Sequence, residues 1–178
     1  MRIKFKRRIY GSVSELARDF AWPLRQREQL RAAMRGGLVS PQLRERLMLA
    51  VTAVNQCRYC SYFHAREALS AGLAADEIRR LNDGIVDDAP ADELPALLYA
   101  QHWAESNGRP DPIARARLVE IYGPQRSEAI ETVLRMIRTG NLLGNSADYL
   151  LARLTFGRFG VAADEREGRA QPLTGAKA

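Results

Sequence analysis

The chain has 178 residues, 46% of them hydrophobic, which suffices for one domain with a sizeable core. Its net charge of +6 is uneven: residues 1–36 carry ten Lys and Arg side chains against Glu15, Asp19 and Glu28, a balance of +7 that leaves −1 for the remainder. The longest apolar run near the cysteines, Leu47 to Val54, falls far short of the roughly 18 to 20 residues of a membrane span, and no apolar segment follows the basic amino terminus as an export signal requires, so the expected location is cytoplasmic.

In chain order, Ser12-Val13-Ser14-Glu15 has capping-box spacing and predicts a short helix that stops before Pro23. A second helix is expected from Pro23 to the glycine pair Gly36-Gly37. Ser40-Pro41 reads as an N-cap followed by proline in the first helical position, and Leu43, Leu47, Ala50, Val51 and Val54 then recur at helical spacing. Asn55-Gln56 is the natural break, with a new helix from about Cys57 to Ala71 closed by Gly72. Further helices are expected over 76–81, 92–106 and 111–122. After Gly123-Pro124 a long periodic segment reaches about Phe159, with a bend near Gly140 to Gly144. No strand or hairpin signal appears. The expectation is an all-α fold: one helical domain over 1–161, whose residues 1–36 form a basic arm, and a flexible polar tail over 162–178.

The only two cysteines, Cys57 and Cys60, form a C-x-x-C pair, and His64 follows four residues after the second. In a reducing compartment such a pair points to redox chemistry or a metal rather than to a structural staple. A helix beginning at Cys57 would offer its amide groups and positive dipole end to a thiolate, while His64, at i+4 from Cys60, could take that thiol's proton. The two effects favour different cysteines. A dipole is worth about 0.3–1 kcal/mol at an exposed end, whereas general-base assistance contributes 10²- to 10⁴-fold in rate, so the histidine should decide and Cys60 should be the reactive sulfur. Glu45, twelve positions before Cys57 on the preceding helix, could fold back to orient His64.

The pattern Glu45, Cys57, Cys60, His64, preceded by Ala53-Val54-Asn55 and followed by Ala71-Gly72-Leu73, resembles the alkylhydroperoxidase D family within the carboxymuconolactone decarboxylase-like superfamily. The resemblance covers about Arg44 to Ile78. It implies an all-helical fold, trimers or hexamers, and thiol peroxidase or disulfide reductase activity. It further implies that Cys60 is the peroxidatic nucleophile, Cys57 the resolving cysteine, His64 the proton acceptor and Glu45 the group that polarises His64. The substrate would be a hydroperoxide or a partner's disulfide, and the reductant an external lipoyl or thioredoxin-like dithiol; no flavin, haem or nicotinamide cofactor is required. Tyr59 stands where some members carry a relay histidine, and a neutral phenol is no base near pH 7. Tyr59 is expected, with Tyr62 and Phe63, to be a packing residue, or, where partly exposed, to border the substrate entrance.

Competing readings rest on the same residues. The cysteines with His64 and His102 could bind structural zinc, although zinc sites usually draw their ligands from two close pairs. The disulfide could serve as a sensor in a binding protein whose basic arm meets nucleic acid or membrane, but no helix-turn-helix, zinc-finger or RNA-binding signature accompanies the charge. Lactone or decarboxylation chemistry is disfavoured, because the decarboxylases of that superfamily lack the cysteine pair. The stretch 140–145 with Asp148 reads as helix packing rather than a ligand loop, and His102-Trp103 as core or interface.

Overall fold

The computed structural model describes residues 5–162 and Glu165. Among them the chain is all-α, with seven helices and no strand: α1 (Val13–Arg25), α2 (Arg27–Arg35), α3 (Pro41–Asn55), α4 (Arg58–Ser70), α5 (Ala75–Asn82), α6 (Leu94–Glu105) and α7 (Pro112–Leu154). Helix α3 is the hub. Its leucines Leu43, Leu47 and Leu49 and its Ala50 and Val51 are sealed from solvent, and it packs on α4, α5, α6 and α7. A helix apolar on nearly every side can only be a central one. Its start follows from Ser40, whose hydroxyl accepts the Leu43 N–H at 3.0 Å, with Pro41 in the first turn. Arg46 secures its neighbours, reaching Glu77 on α5 at 2.5 Å and Glu93 at the start of α6 at 2.8 Å.

Two boundaries differ from the sequence expectation. Helix α1 runs through Pro23 to Arg25 and breaks at Gln26 instead. Ser12 caps it as predicted, accepting the Glu15 N–H at 3.2 Å while Glu15 accepts the Gly11 N–H at 3.0 Å. The proline is carried because the turns beside it are clamped to α7. Arg138 donates to Asp19 at 2.9 Å, and the Arg135 guanidinium lies 4.7 Å from the Trp22 ring. Tertiary contacts thus override a local breaker.

The second difference lies in α7. It breaks at Gly123, where φ is +74° and a left-handed residue is needed, but Gly140 and Gly144 are helical and no bend occurs there. Gly144 serves close approach instead: a Cβ at this position would stand 3.2 Å from the Cys57 sulfur.

The segment before α1 is tied down. Arg7 is buried and bonds Asp148 and Glu165, and Arg8 donates to the last carbonyls of α6 at Ala104 and Glu105. Of the expected tail 162–178, only Ala162 and Glu165 are described, and the rest lies outside the described residues. Glu165 is buried in its pairing with Arg7 rather than exposed.

Candidate functional site around Cys57, Cys60, His64 and Glu45

The chain leaves α3 through Gln56, a non-glycine residue in the left-handed region at φ +58°, and this reversal places Cys57 as the N-cap of α4. Cysteine here takes the part usually played by serine or aspartate: its sulfur accepts the Cys60 N–H at 3.4 Å. Cys57 is 1% exposed, whereas Cys60, in the first turn, is half-buried; both are free thiols.

The sulfurs are coupled. The Cys60 thiol bonds the Cys57 sulfur, the Tyr59 and Cys60 amides and the Asn141 side chain add to it, and together they outweigh burial to bring Cys57 from 9.0 down to about 7. Cys60 is pushed far up by that same bond, by burial and by the neighbouring sulfur's charge. One proton is therefore shared between two sulfurs, the first leaving near neutrality and the second held tightly. This electrostatic bias falls on Cys57, opposite to the preference the histidine spacing predicts, while accessibility favours Cys60.

Glu45 and His64 meet as expected. Nδ1 of His64 lies 2.8 Å from Glu45 Oε2, across the α3–α4 hairpin. A carboxylate on Nδ1 fixes the hydrogen there and leaves Nε2 as the acceptor. The other Glu45 oxygen lies 3.3 Å from Arg44 Nε, so this 4%-exposed carboxylate has partners on both oxygens. Phe63 packs edge-on against the imidazole at 5.1 Å.

Tyr59 is exposed, and its phenol belongs to a charge cluster. The hydroxyl donates to Asp148 Oδ1 at 2.8 Å, and Arg58 donates to both groups, also at 2.8 Å. Arg7 reaches the other Asp148 oxygen. Burial alone would raise the Asp148 carboxyl, but bonds from Arg7, Tyr59 and Arg58 hold it below the usual range.

Four further residues thus join the site: Arg7 and Arg58, which sequence reasoning did not single out, and Asn141 and Asp148, which it assigned to helix packing. Asn141 is further fixed by Asn55 and Thr52, each at 3.1 Å. The signal available was spacing, since Asn141, Asn145 and Asp148 share one face of α7 and a polar stripe on a core helix needs partners. Their partners lie more than eighty residues away along the chain and leave no local trace.

A cleft of about 850 Å³ ends on Glu45 and His64, with Phe63, Met34, Met48 and Met136 on its walls. A separate cavity of about 520 Å³ is lined by Cys57, Arg58 and Ser61 among others. The zinc reading finds no geometry among the described residues: no cluster of three or more His, Cys, Asp or Glu could hold a metal, and His102 accepts the Asp111 N–H at 3.1 Å. No helix among them is long and apolar enough to cross a membrane.

Residues 23–106 match the sequence model described as the carboxymuconolactone decarboxylase family. No curated protein and no solved structure gives a significant match. The matched span contains α2 to α6 and, with them, Glu45, Cys57, Cys60 and His64, so this helical segment is similar to the carboxymuconolactone decarboxylase family, and its C-x-x-C pair at a helix start is consistent with the alkylhydroperoxidase D-like kind.

Proposed function

We propose that the protein is a thiol-dependent peroxidase in which Cys60 is the nucleophile, Cys57 the resolving cysteine, His64 the proton carrier and Glu45 its positioning partner. The observation that carries this reading is the Glu45–His64 contact of 2.8 Å, one helical turn from the half-buried Cys60, whose thiol bonds the fully buried Cys57 sulfur. The lowered Cys57 value does not oppose it, because the proton can pass along the S–H···S bond and the reacting sulfur must be the one a peroxide can touch.

The Cys60 thiol yields its proton to Nε2 of His64. The thiolate attacks the terminal peroxide oxygen, the O–O bond breaks, and the departing alkoxide takes the proton from His64, leaving an alcohol and a Cys60 sulfenic acid. The Cys57 thiol then attacks the sulfenic sulfur, its own proton leaving with the displaced hydroxide as water, and the Cys57–Cys60 disulfide forms. An external dithiol, lipoyl or thioredoxin-like, reduces the disulfide and is itself oxidised. Net, one hydroperoxide and one dithiol become an alcohol, water and a disulfide. Asn141 and the Cys60 amide interact with either sulfur, so the same two groups support a thiolate on Cys57 or on Cys60. Free thiols of this kind suit a reducing compartment such as the cytoplasm. The test is peroxide consumption by the purified protein with dihydrolipoamide and thioredoxin supplied in turn. Turnover with one of them is expected, and none with either would refute the reading.

A further inference from the structure

The wall of the 850 Å³ cleft is α2, and along it Arg27, Arg31 and Arg35 recur every fourth residue. Such residues form one ridge, here about 12 Å long at 1.5 Å per residue. Among the described residues none of the three has an ion-pair or hydrogen-bond partner. The arginines elsewhere at the site, Arg7, Arg44 and Arg58, all do. Like charges at i, i+4 repel, and α2 is a nine-residue helix with no side-chain cap at its start. Glu28 and Glu67 also line the cleft, and Glu45 is taken by Arg44 and His64, so the ridge keeps unmatched positive charge.

The apolar lining of the cleft, called its floor, is Leu30 and Met34 of α2 itself together with Met48, Phe63 and Met136. Thioether side chains are unbranched and adapt to flexible chains. At this floor stand Glu45 and His64. A small inorganic peroxide needs neither a floor nor a ridge, and a neutral alkyl hydroperoxide needs only the floor.

We infer that the cleft binds an amphipathic anion, the hydroperoxide of a long-chain carboxylic acid, with its carboxylate on the Arg27–Arg31–Arg35 ridge and its acyl chain along the methionine floor. This rests on the peroxidase reading for the reaction, in which the chain hydroperoxide is reduced to its hydroxy acid and the carboxylate is unchanged. It does not rest on that reading for binding.

Two measurements separate these. Calorimetric titration of the full chain with a saturated long-chain fatty acid and with its methyl ester, neither of which can react, should show the acid binding at least about tenfold more tightly. The triple variant Arg27→Gln, Arg31→Gln, Arg35→Gln should lose that preference, while a charge-matched control, Arg25→Gln, Arg117→Gln, Arg153→Gln, should keep it. Turnover of a fatty-acid hydroperoxide against its methyl ester should show the same preference in KM. Equal binding of acid and ester, or a preference that survives in the ridge variant, overturns the inference. Ridge-dependent binding of the acid with no hydroperoxide consumed overturns the peroxidase reading and leaves the anion cleft standing.

Discussion

At Cys57 and Cys60 the shared proton makes the pair's chemistry testable one sulfur at a time. Cys60→Ala removes the bond that contributes most to the lowered Cys57 value, so the thiolate absorbance titration should move from about 7 up toward 9.0. An unmoved midpoint would mean that the helix start and Asn141 carry the effect. Cys60→Ser should abolish reaction with peroxide, whereas Cys57→Ser should allow one oxidation and stop at a trappable sulfenic acid, read by mass spectrometry. A sulfenic acid on Cys57 in the Cys60→Ser variant would exchange the two roles. His64→Ala should slow peroxide reduction by about 10²- to 10⁴-fold, and Glu45→Gln, which keeps an acceptor for Nδ1, by about 10- to 100-fold. At this scale the sequence exposes what local spacing controls. Cys60 and His64 are joined by one helical turn and Glu45 by a hairpin, so their proximity is legible; Asn141 reaches the cysteines, and Asp148 reaches Arg58 and Tyr59, across the fold, and neither contact is.

At the scale of the elements, caps and breaks are the legible part, because Ser12, Ser40 and Gly123 act on their own neighbours. The stop at Pro23 and the bend near Gly140 to Gly144 are read wrongly for the opposite reason, since clamps from Arg135 and Arg138 hold the first straight and Gly144 is used for close approach to Cys57 within an unbroken helix. Gly144→Ala makes this concrete. Alanine would gain about 1 kcal/mol of helix propensity, but the Cβ would press on the Cys57 sulfur at 3.2 Å, an overpacking cost of about 1–3 kcal/mol. A lower melting temperature is expected; a higher one would show that α4 can move aside. Asp148 ties α7 to both α4 and the amino-terminal segment. Its carboxyl, like that of Glu165, is held below the usual range, so the stability it supplies is present above that range and is lost as pH falls through the lowered values. Asp148→Asn leaves Arg7 and Arg58 short of a counter-charge and should cost about 3–5 kcal/mol at neutral pH in denaturant unfolding. It should also flatten the decline in acid.

For the whole molecule, the all-α architecture is legible because every long segment is periodic and no strand signal competes. The use of the basic arm is not, since +7 of charge describes a nucleic-acid binder, a solvated face or a clasp equally well. Part of it is a clasp: Arg7 and Arg8 are spent on Asp148, Glu165 and two carbonyls. The outer face of α4 remains uncovered, with Tyr59, Tyr62, Phe63 and Leu69 each more than half exposed beside the site. Apolar surface of that extent is what subunit contacts cover, and the expected assembly is a trimer or a multiple of it. Light scattering that gave a monomer mass at micromolar concentration would refute it.

The methionine floor of the cleft carries a consequence for lifetime. Thioethers are among the groups that peroxide oxidises most readily, and each sulfoxide turns an adaptable apolar side chain into a polar and chiral one. On the proposed reading, in which hydroperoxide enters the cleft lined by Met34, Met48 and Met136, the protein is gradually consumed by its own substrate. Met34 and Met136, partly exposed, should be oxidised before the 5%-exposed Met48. Peptide mass spectrometry across a long assay should find activity fading in step with those first two sulfoxides and returning when methionine sulfoxide reductase is added.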